Sequence, residues 1–427
     1  MREEEQAFRC GQVPGAYGAA HGRTRISLIV VLLVVLWAEA VPAADGRLIE
    51  HAHDVHLTPP QIESSIARLF SGYPPPSAHY SVDIYLIRYQ SLYPDDAAAA
   101  ITAQLFVPRS DVPIERPLYV FAPGTTGLID ACRPSREHSA GIHWGLYREH
   151  MLAFAAAGII GLLPDYTGFG DPDRIQPLFH VRSEGRMMLD GVRAAHEFFA
   201  RHNSALQPAQ GAFLAGFSQG GHAAFAAADL RQSYAPEVAV AGVIGYGATT
   251  DLQTVFREFP VVAPMIVHVF SELYGTQRFD PRQILQDRWL AHLEHHVTRQ
   301  CIGAMQSYYP WNARAMFRPE FYDALTESRL RQQFPAIHRI LERNSSGLSG
   351  HGIPALILQG SHDIVISARS QELFVQQLKA AGSHVDYRLY EDTRHDTRQA
   401  AFPEVLAWIE SHSEHAPGEA QAPGSPR

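Results

Sequence analysis

The pentapeptide Gly216-Phe217-Ser218-Gln219-Gly220 constrains this chain more than any other stretch, because of what flanks it. An apolar run, GAFLAGF, leads straight into it, and a small-residue segment, QGGHAAFAAADL, leads away. The first reads as a buried strand and the second as a helix. A serine on so sharp a strand-to-helix turn is held in strained backbone geometry, with its hydroxyl exposed at the rim of a sheet. Its neighbours must be small, and Gly216, Gly220 and Gly221 supply the room. The plainer alternative is a glycine-rich helix start with Ser218 as its cap.

The surrounding pattern predicts the sheet that such a turn needs. Strand-like runs recur at residues 82–90, 101–107, 118–122, 159–164, 212–217, 238–246, 355–359 and 384–390. The middle ones are short and continuously apolar, as in buried parallel strands, while the first two alternate and suit an antiparallel edge. Helical patterns fall between them, at residues 144–157, 183–202, 219–232, 367–381 and 399–412. Strands alternating with helices predict an α/β fold with a mostly parallel, doubly wound sheet. From Leu252 to about His351 the alternation stops, with helical periodicity in pieces such as 282–296 and 328–343. A hundred residues is too long for a loop, so this stretch reads as a helical cap inserted into the sheet domain.

A serine hydroxyl needs a base, an orienting acid and an oxyanion hole to act as a nucleophile. On this kind of sheet the chain order is serine, acid, histidine. Asp363 follows the strand-like run 355–359, and His395 follows the last one. Both fall where the C-terminal ends of core strands share a rim with Ser218. Asp386, Asp392 and Asp396 are rivals for the acid, and His362, His384 and His351 for the base. The oxyanion hole needs two backbone N–H groups. Gln219, after the nucleophile, supplies one. The other is expected from the loop Phe121–Gly127, at Thr125 with Thr126 close behind.

The 427 residues are 46% apolar and 19% charged, a globular composition, with 44 acidic against 35 basic side chains. A net charge of −9 argues against a nucleic-acid surface. The run Ile26–Ala38 is uncharged, spans about 20 Å as a helix, and falls short of the ~30 Å hydrocarbon core. Arg23 and Arg25 precede it and Ala38, Ala40, Ala43 and Ala44 follow, the order of a cleaved signal peptide over residues 1–43. A secreted or periplasmic protein is therefore expected, with an uncleaved anchor at residues 26–38 as the alternative. Cleavage takes away Cys10 and leaves two cysteines, an even count that suggests one bridge in an oxidising compartment. The mature chain then divides into core at 44–251, cap at 252–351, core again at 352–413, and a Pro/Gly-rich disordered tail at 414–427. No HExxH or CxxC is present, and the pairs His51/His53 and His295/His296 read as solvated surface. No metal or other cofactor is expected.

The segments PGTTG at Pro123–Gly127, PDYTGFG at Pro164–Gly170, GFSQGG at Gly216–Gly221 and LRQSYAPEVAVAGVIGYGATTDL at Leu230–Leu252 together resemble the secretory lipase family. The resemblance covers about Tyr80 to Ala407. It implies an exported α/β-hydrolase of carboxylic esters, a lipase or a short-chain esterase. It implies Ser218, Asp363 and His395 as the triad, and the PGTTG loop as an oxyanion donor. It also implies a bridge between Cys132, after that loop, and Cys301 in the cap. The partner implied is a small-molecule or lipid ester, with transient contact at a lipid interface. The cap sequence departs from the family, which leaves acyl-chain preference open. Two apolar runs, Val261–Val267 and Tyr308–Trp311, are candidate acyl walls, or else pack the cap onto the core. An exported peptidase on the same fold is the runner-up, for which Glu258, Glu272, Glu294 or Glu327 would hold a peptide's amino end. A non-catalytic binding protein on this fold is a third reading.

Overall fold

The computed structural model describes residues 46–413, apart from 139–140, 142–143 and 203. The export signal expected at residues 1–43 and the tail at 414–427 lie outside the described residues.

Nine strands form one sheet: β1 (Leu48–Leu57), β2 (Val82–Leu92), β3 (Ala98–Pro108), β4 (Ile114–Ala122), β5 (Ile160–Pro164), β6 (Leu206–Phe217), β7 (Val240–Tyr246), β8 (Ala355–Gly360) and β9 (Val385–Tyr390). Their spatial order is β1-β2-β3-β5-β4-β6-β7-β8-β9. The pairs β1–β2, β2–β3 and β3–β5 are antiparallel, and every pair from β5 to β9 is parallel. The parallel strands inside the sheet carry the continuously apolar runs because both their faces are covered, whereas the edge strand β9 is partly exposed. In β6, Ala212 and Leu214 pack on one face, and Phe213 and Ala215 on the other. The helices α3 (Val181–Arg201) and α4 (Gln219–Tyr234), with the helix Ala368–Ala380, cover the first face. The other face is covered by α1 (Pro59–Ile66), α2 (Tyr147–Ala156) and the last helix, Arg398–Ser413. Each large apolar side chain so buried contributes roughly 1.5–3 kcal/mol.

The first strand escapes the sequence pattern. β1 reads LIEHAHDVHL, and most of its side chains are exposed, so it carries neither alternation nor an apolar run. It pairs as an edge strand through its backbone. Its histidines serve that edge: the His53 ring nitrogen lies 3.1 Å from the Asp83 carboxylate, and His51 packs edge-on against Phe198.

Between β7 and β8 the chain is helical in short pieces from Leu252 to Arg343, around an apolar cluster that also takes in Leu128, Leu178, Phe179, Val365 and Ile366 of the core. The two long helices expected there are broken. Residues 282–296 divide into Pro281–Ile284, Asp287–Leu290 and Leu293–Val297. The periodicity at 328–343 is cut by Pro335, which ends Leu330–Gln333 and opens Pro335–Arg343.

Candidate active site

Ser218 joins the C-terminal end of β6 to α4 with φ 55° and ψ −116°. That left-handed backbone is costly for a serine. The turn is clamped because neither flanking glycine has space for a side chain. A Cβ on Gly216 would meet the Gly220 carbonyl oxygen at 2.0 Å, and one on Gly220 would meet the Ala122 oxygen at 1.8 Å. The Ser218 N–H donates to the Tyr246 carbonyl at 2.9 Å, which ties the turn to β7.

Asp363 lies just past β8 and His395 just past β9, on the same rim. The His395 Nδ1 donates to Asp363 Oδ2 at 2.8 Å. A carboxylate only accepts, so in the neutral ring Nδ1 carries the proton and Nε2 keeps its lone pair. The remaining lone pairs of Asp363 are filled. Its Oδ1 accepts from the Val365 and Ile366 N–H groups at 2.7 and 3.0 Å, and Oδ2 from Gln359 Nε2 at 3.0 Å. The aspartate is thereby fixed, and it fixes the ring. His395 Nε2 is buried with no hydrogen-bond partner among the described residues.

The rivals are engaged elsewhere. His362 is exposed and faces Asp392 at 4.0 Å. His384 is exposed, and His351 Nδ1 accepts from the Ile353 N–H. Asp386 accepts from Trp408 Nε1, and Asp396 is bound by Arg398.

Ser218 and His395 line one cavity of about 380 Å³. Thr125 lines it too, whereas Thr126 is buried and gives its carbonyl to the Ile302 N–H. Neither the Thr125 nor the Gln219 backbone N–H has an acceptor among the described residues. The core side of the cavity is aromatic, with Trp144, Tyr147 and Phe217. The cap side is Phe259 together with Ile302, Gly303 and Gln306 from the helix Ile302–Tyr308. A disulfide between Cys132 and Cys301 ties the start of this helix to the core.

Sequence reasoning missed most of this wall. The run Val261–Val267 is buried inside the cap cluster, and neither Tyr308, Tyr309 nor Trp311 lines the cavity. Neither run forms the wall: the first packs inside the cap, and in the second Tyr309 is buried while Tyr308 and Trp311 are exposed. Trp311 stands one layer behind it, with its ring 5.2 Å from that of Phe259. Also missed was a buried brace behind the aromatic side. Glu137 accepts from the N–H groups of Gly145, Leu146 and Tyr147, and Arg398 donates to the Gly145 carbonyl at 2.6 Å. The Arg398 guanidinium lies over the Tyr147 and Phe217 rings. Only the adjacency of Phe217 to Ser218, and of Asp396 to His395, marked any of these residues in the sequence.

A family model described as secretory lipase matches residues 148–418. No curated protein sequence matches the chain. Among solved structures, it is similar to the rice cell wall degrading esterase LipA from Xanthomonas oryzae. The TM-score is 0.69, with 19% identity over 87% of this chain and 97% of that one. It is also similar to Candida antarctica lipase A in its closed state, with a TM-score of 0.63 and 17% identity over 88% of this chain and 84% of that one. At such identities the likeness shows a shared α/β-hydrolase fold.

Proposed function

The chain belongs to the secretory lipase family, and from that premise we propose that it is an exported serine hydrolase that cleaves carboxylic esters with Ser218, His395 and Asp363. The observation that carries the reading is the Asp363–His395 pair, already bonded, on the cavity that Ser218 enters from a strained turn. In the reaction, His395 Nε2 takes the Ser218 proton as Oγ attacks the ester carbonyl. Asp363 holds the ring and stabilises the imidazolium that forms. The negative charge on the former carbonyl oxygen is met by the N–H groups of Gln219 and Thr125. His395 then protonates the departing alcohol. Water, activated by the same ring, hydrolyses the acyl-serine.

An ester rather than a peptide is favoured because the cap carboxylates do not reach the site. Glu258 is occupied by Ser367 and Ser370, and Glu272, Glu294 and Glu327 are exposed and absent from the cavity wall. The one carboxylate on the wall, Asp396, is engaged by Arg398. Export is supported by the signal-like residues 1–43 and by the family.

The test is a p-nitrophenyl ester series beside an amino-acid p-nitroanilide, with fluorophosphonate labelling of the same preparation. Labelling at Ser218 and turnover of esters alone are expected. Anilide cleavage faster than ester cleavage overturns the ester reading, and an unlabelled Ser218 overturns the nucleophile.

A further inference from the structure

Beneath the first turn of α4 lies a buried polar chain that the proposed reaction does not use. Glu184 on α3 is 2% exposed. Its Oε1 accepts from Gln219 Nε2 at 2.7 Å and from the Phe179 backbone N–H at 2.8 Å. Its Oε2 lies 2.6 Å from Nδ1 of His222, a fully buried residue one turn beyond Ser218. The other ring nitrogen, His222 Nε2, is 2.6 Å from the Asn344 carbonyl oxygen. A carbonyl only accepts, so Nε2 carries a proton, and a second proton sits between Nδ1 and Glu184. Asn344 closes the chain where the last cap helix ends. Its Nδ2 donates to the Tyr274 hydroxyl at 2.8 Å and to the Ile340 carbonyl at 2.9 Å.

Apolar residues of similar size fill such a space at less cost than an acid and an imidazole. What the chain holds is Gln219. The Oε1 atom of Gln219 is buried without a partner, so the bond to Glu184 is the polar contact that sets this side chain. Gln219 follows the strained Ser218 backbone, and the carbonyl of the peptide between them accepts from the Gly221 N–H at 2.9 Å and from the His222 and Thr249 N–H groups at 3.3 Å. That peptide carries the Gln219 N–H, one of the two proposed oxyanion donors. With its side chain clamped to Glu184, Gln219 holds the other side of that peptide against rotation.

We propose that Glu184 and His222 are positioning residues that hold the Gln219 peptide so that its N–H points at the oxyanion before an ester arrives. This rests on the reading of Ser218 as the nucleophile. Oxyanion donors stabilise the transition state far more than the bound ester, so loss of the clamp lowers kcat and spares KM.

The experiment compares the parent, Gln219→Leu, Glu184→Leu and the double variant on one p-nitrophenyl ester. Affinity for a trifluoromethyl ketone, whose adduct carries an oxyanion, is measured alongside. Gln219→Leu keeps the backbone donor and removes the clamp. It is expected to lower kcat roughly 10–100-fold and to weaken the ketone in proportion, with KM within about twofold of the parent. Glu184→Leu, which leaves Gln219 Nε2 without its acceptor, is expected to match it, and the double variant to be no worse than the stronger single one. A folded Gln219→Leu protein with parental kcat overturns the proposal even if Glu184→Leu fails to fold, and so do single losses that multiply in the double variant. A parent that turns over no ester overturns the underlying reading instead, which keeps the two failures apart.

Discussion

Ser218 occupies a backbone geometry that serine avoids, and His395 has its near nitrogen tied and its far nitrogen free. Ser218→Ala is therefore expected to lower ester turnover by at least ~10³-fold in a folded protein, and His395→Ala to do the same. His362→Ala is expected to cost far less, because that ring is exposed and faces only an exposed Asp392. Equal losses from the two histidine variants, measured as kcat/KM on one ester, would contradict the assignment of the base. A second residue gives a test by pH. Burial pushes the Asp165 carboxyl up to about 7, against the Ser135 bonds and the Arg133 charge that pull it back. The folded chain then keeps the Asp165 proton at pH values where the unfolded chain has lost it. This contribution to stability is full below about pH 4 and is lost as pH rises through about 7. Asp165→Asn has no such titration. The stability of the parent relative to Asp165→Asn is expected to be greater at pH 5 than at pH 8, and equal differences in denaturant titrations at the two pH values refute this.

The helix Ile302–Tyr308 is the element through which cap and core share the site. Cys301 at its start is bonded to Cys132 and forms an isolated antiparallel bridge with Gly127, and Ile302 donates to the Thr126 carbonyl at 2.8 Å. The loop Phe121–Gly127 and a cap wall are thus joined at one point. Cys132→Ser is expected to lower stability on the order of 2–4 kcal/mol in a denaturant titration. A midpoint and slope matching the parent would show that the joint holds without the covalent bond. The elements legible in the sequence were those with a continuously buried stretch, such as residues 118–122 of β4 and 211–216 of β6. β4 to β8 were visible because both their faces are covered, and α3 and α4 because they pack on the sheet. β1 was not visible, because it is a mostly exposed edge strand in which Leu48 alone is buried. The cap helices were seen as periodicity but drawn too long, since their apolar residues face one local cluster across short turns.

For the molecule as a whole, the cap decides what lies opposite Ser218. The proposed triad and oxyanion groups read only the acyl carbon, so in that reading chain length is read by the walls, at ~1–3 kcal/mol per methylene. Gly303 lines the cavity, and a Cβ placed there meets nothing within 4 Å. Gly303→Leu therefore adds bulk to the wall without a backbone clash. It is expected to move the p-nitrophenyl ester optimum toward shorter chains while leaving the reactivity of Ser218 toward a small phosphonate unchanged. Profiles that superimpose on the parent after active-site titration would place chain-length reading elsewhere. Met265 is buried in the cap cluster and absent from the wall, so its effect on such a profile can only be indirect.

The sequence by itself determined the doubly wound sheet, the strand–serine–helix turn, the interruption by a helical segment, and the rim on which Asp363 and His395 fall. Each of these is written in local periodicity or in contiguous motifs, which follow from how a short segment must bury itself. The tertiary structure alone decided which acid met which histidine, and that Thr125 rather than Thr126 lines the cavity. It also decided that Phe259, Ile302 and Gln306 form the wall, and that Glu184 and His222 meet beneath Gln219. Those contacts join residues far apart along the chain, and their partners are chosen by how whole elements pack, which no local pattern encodes.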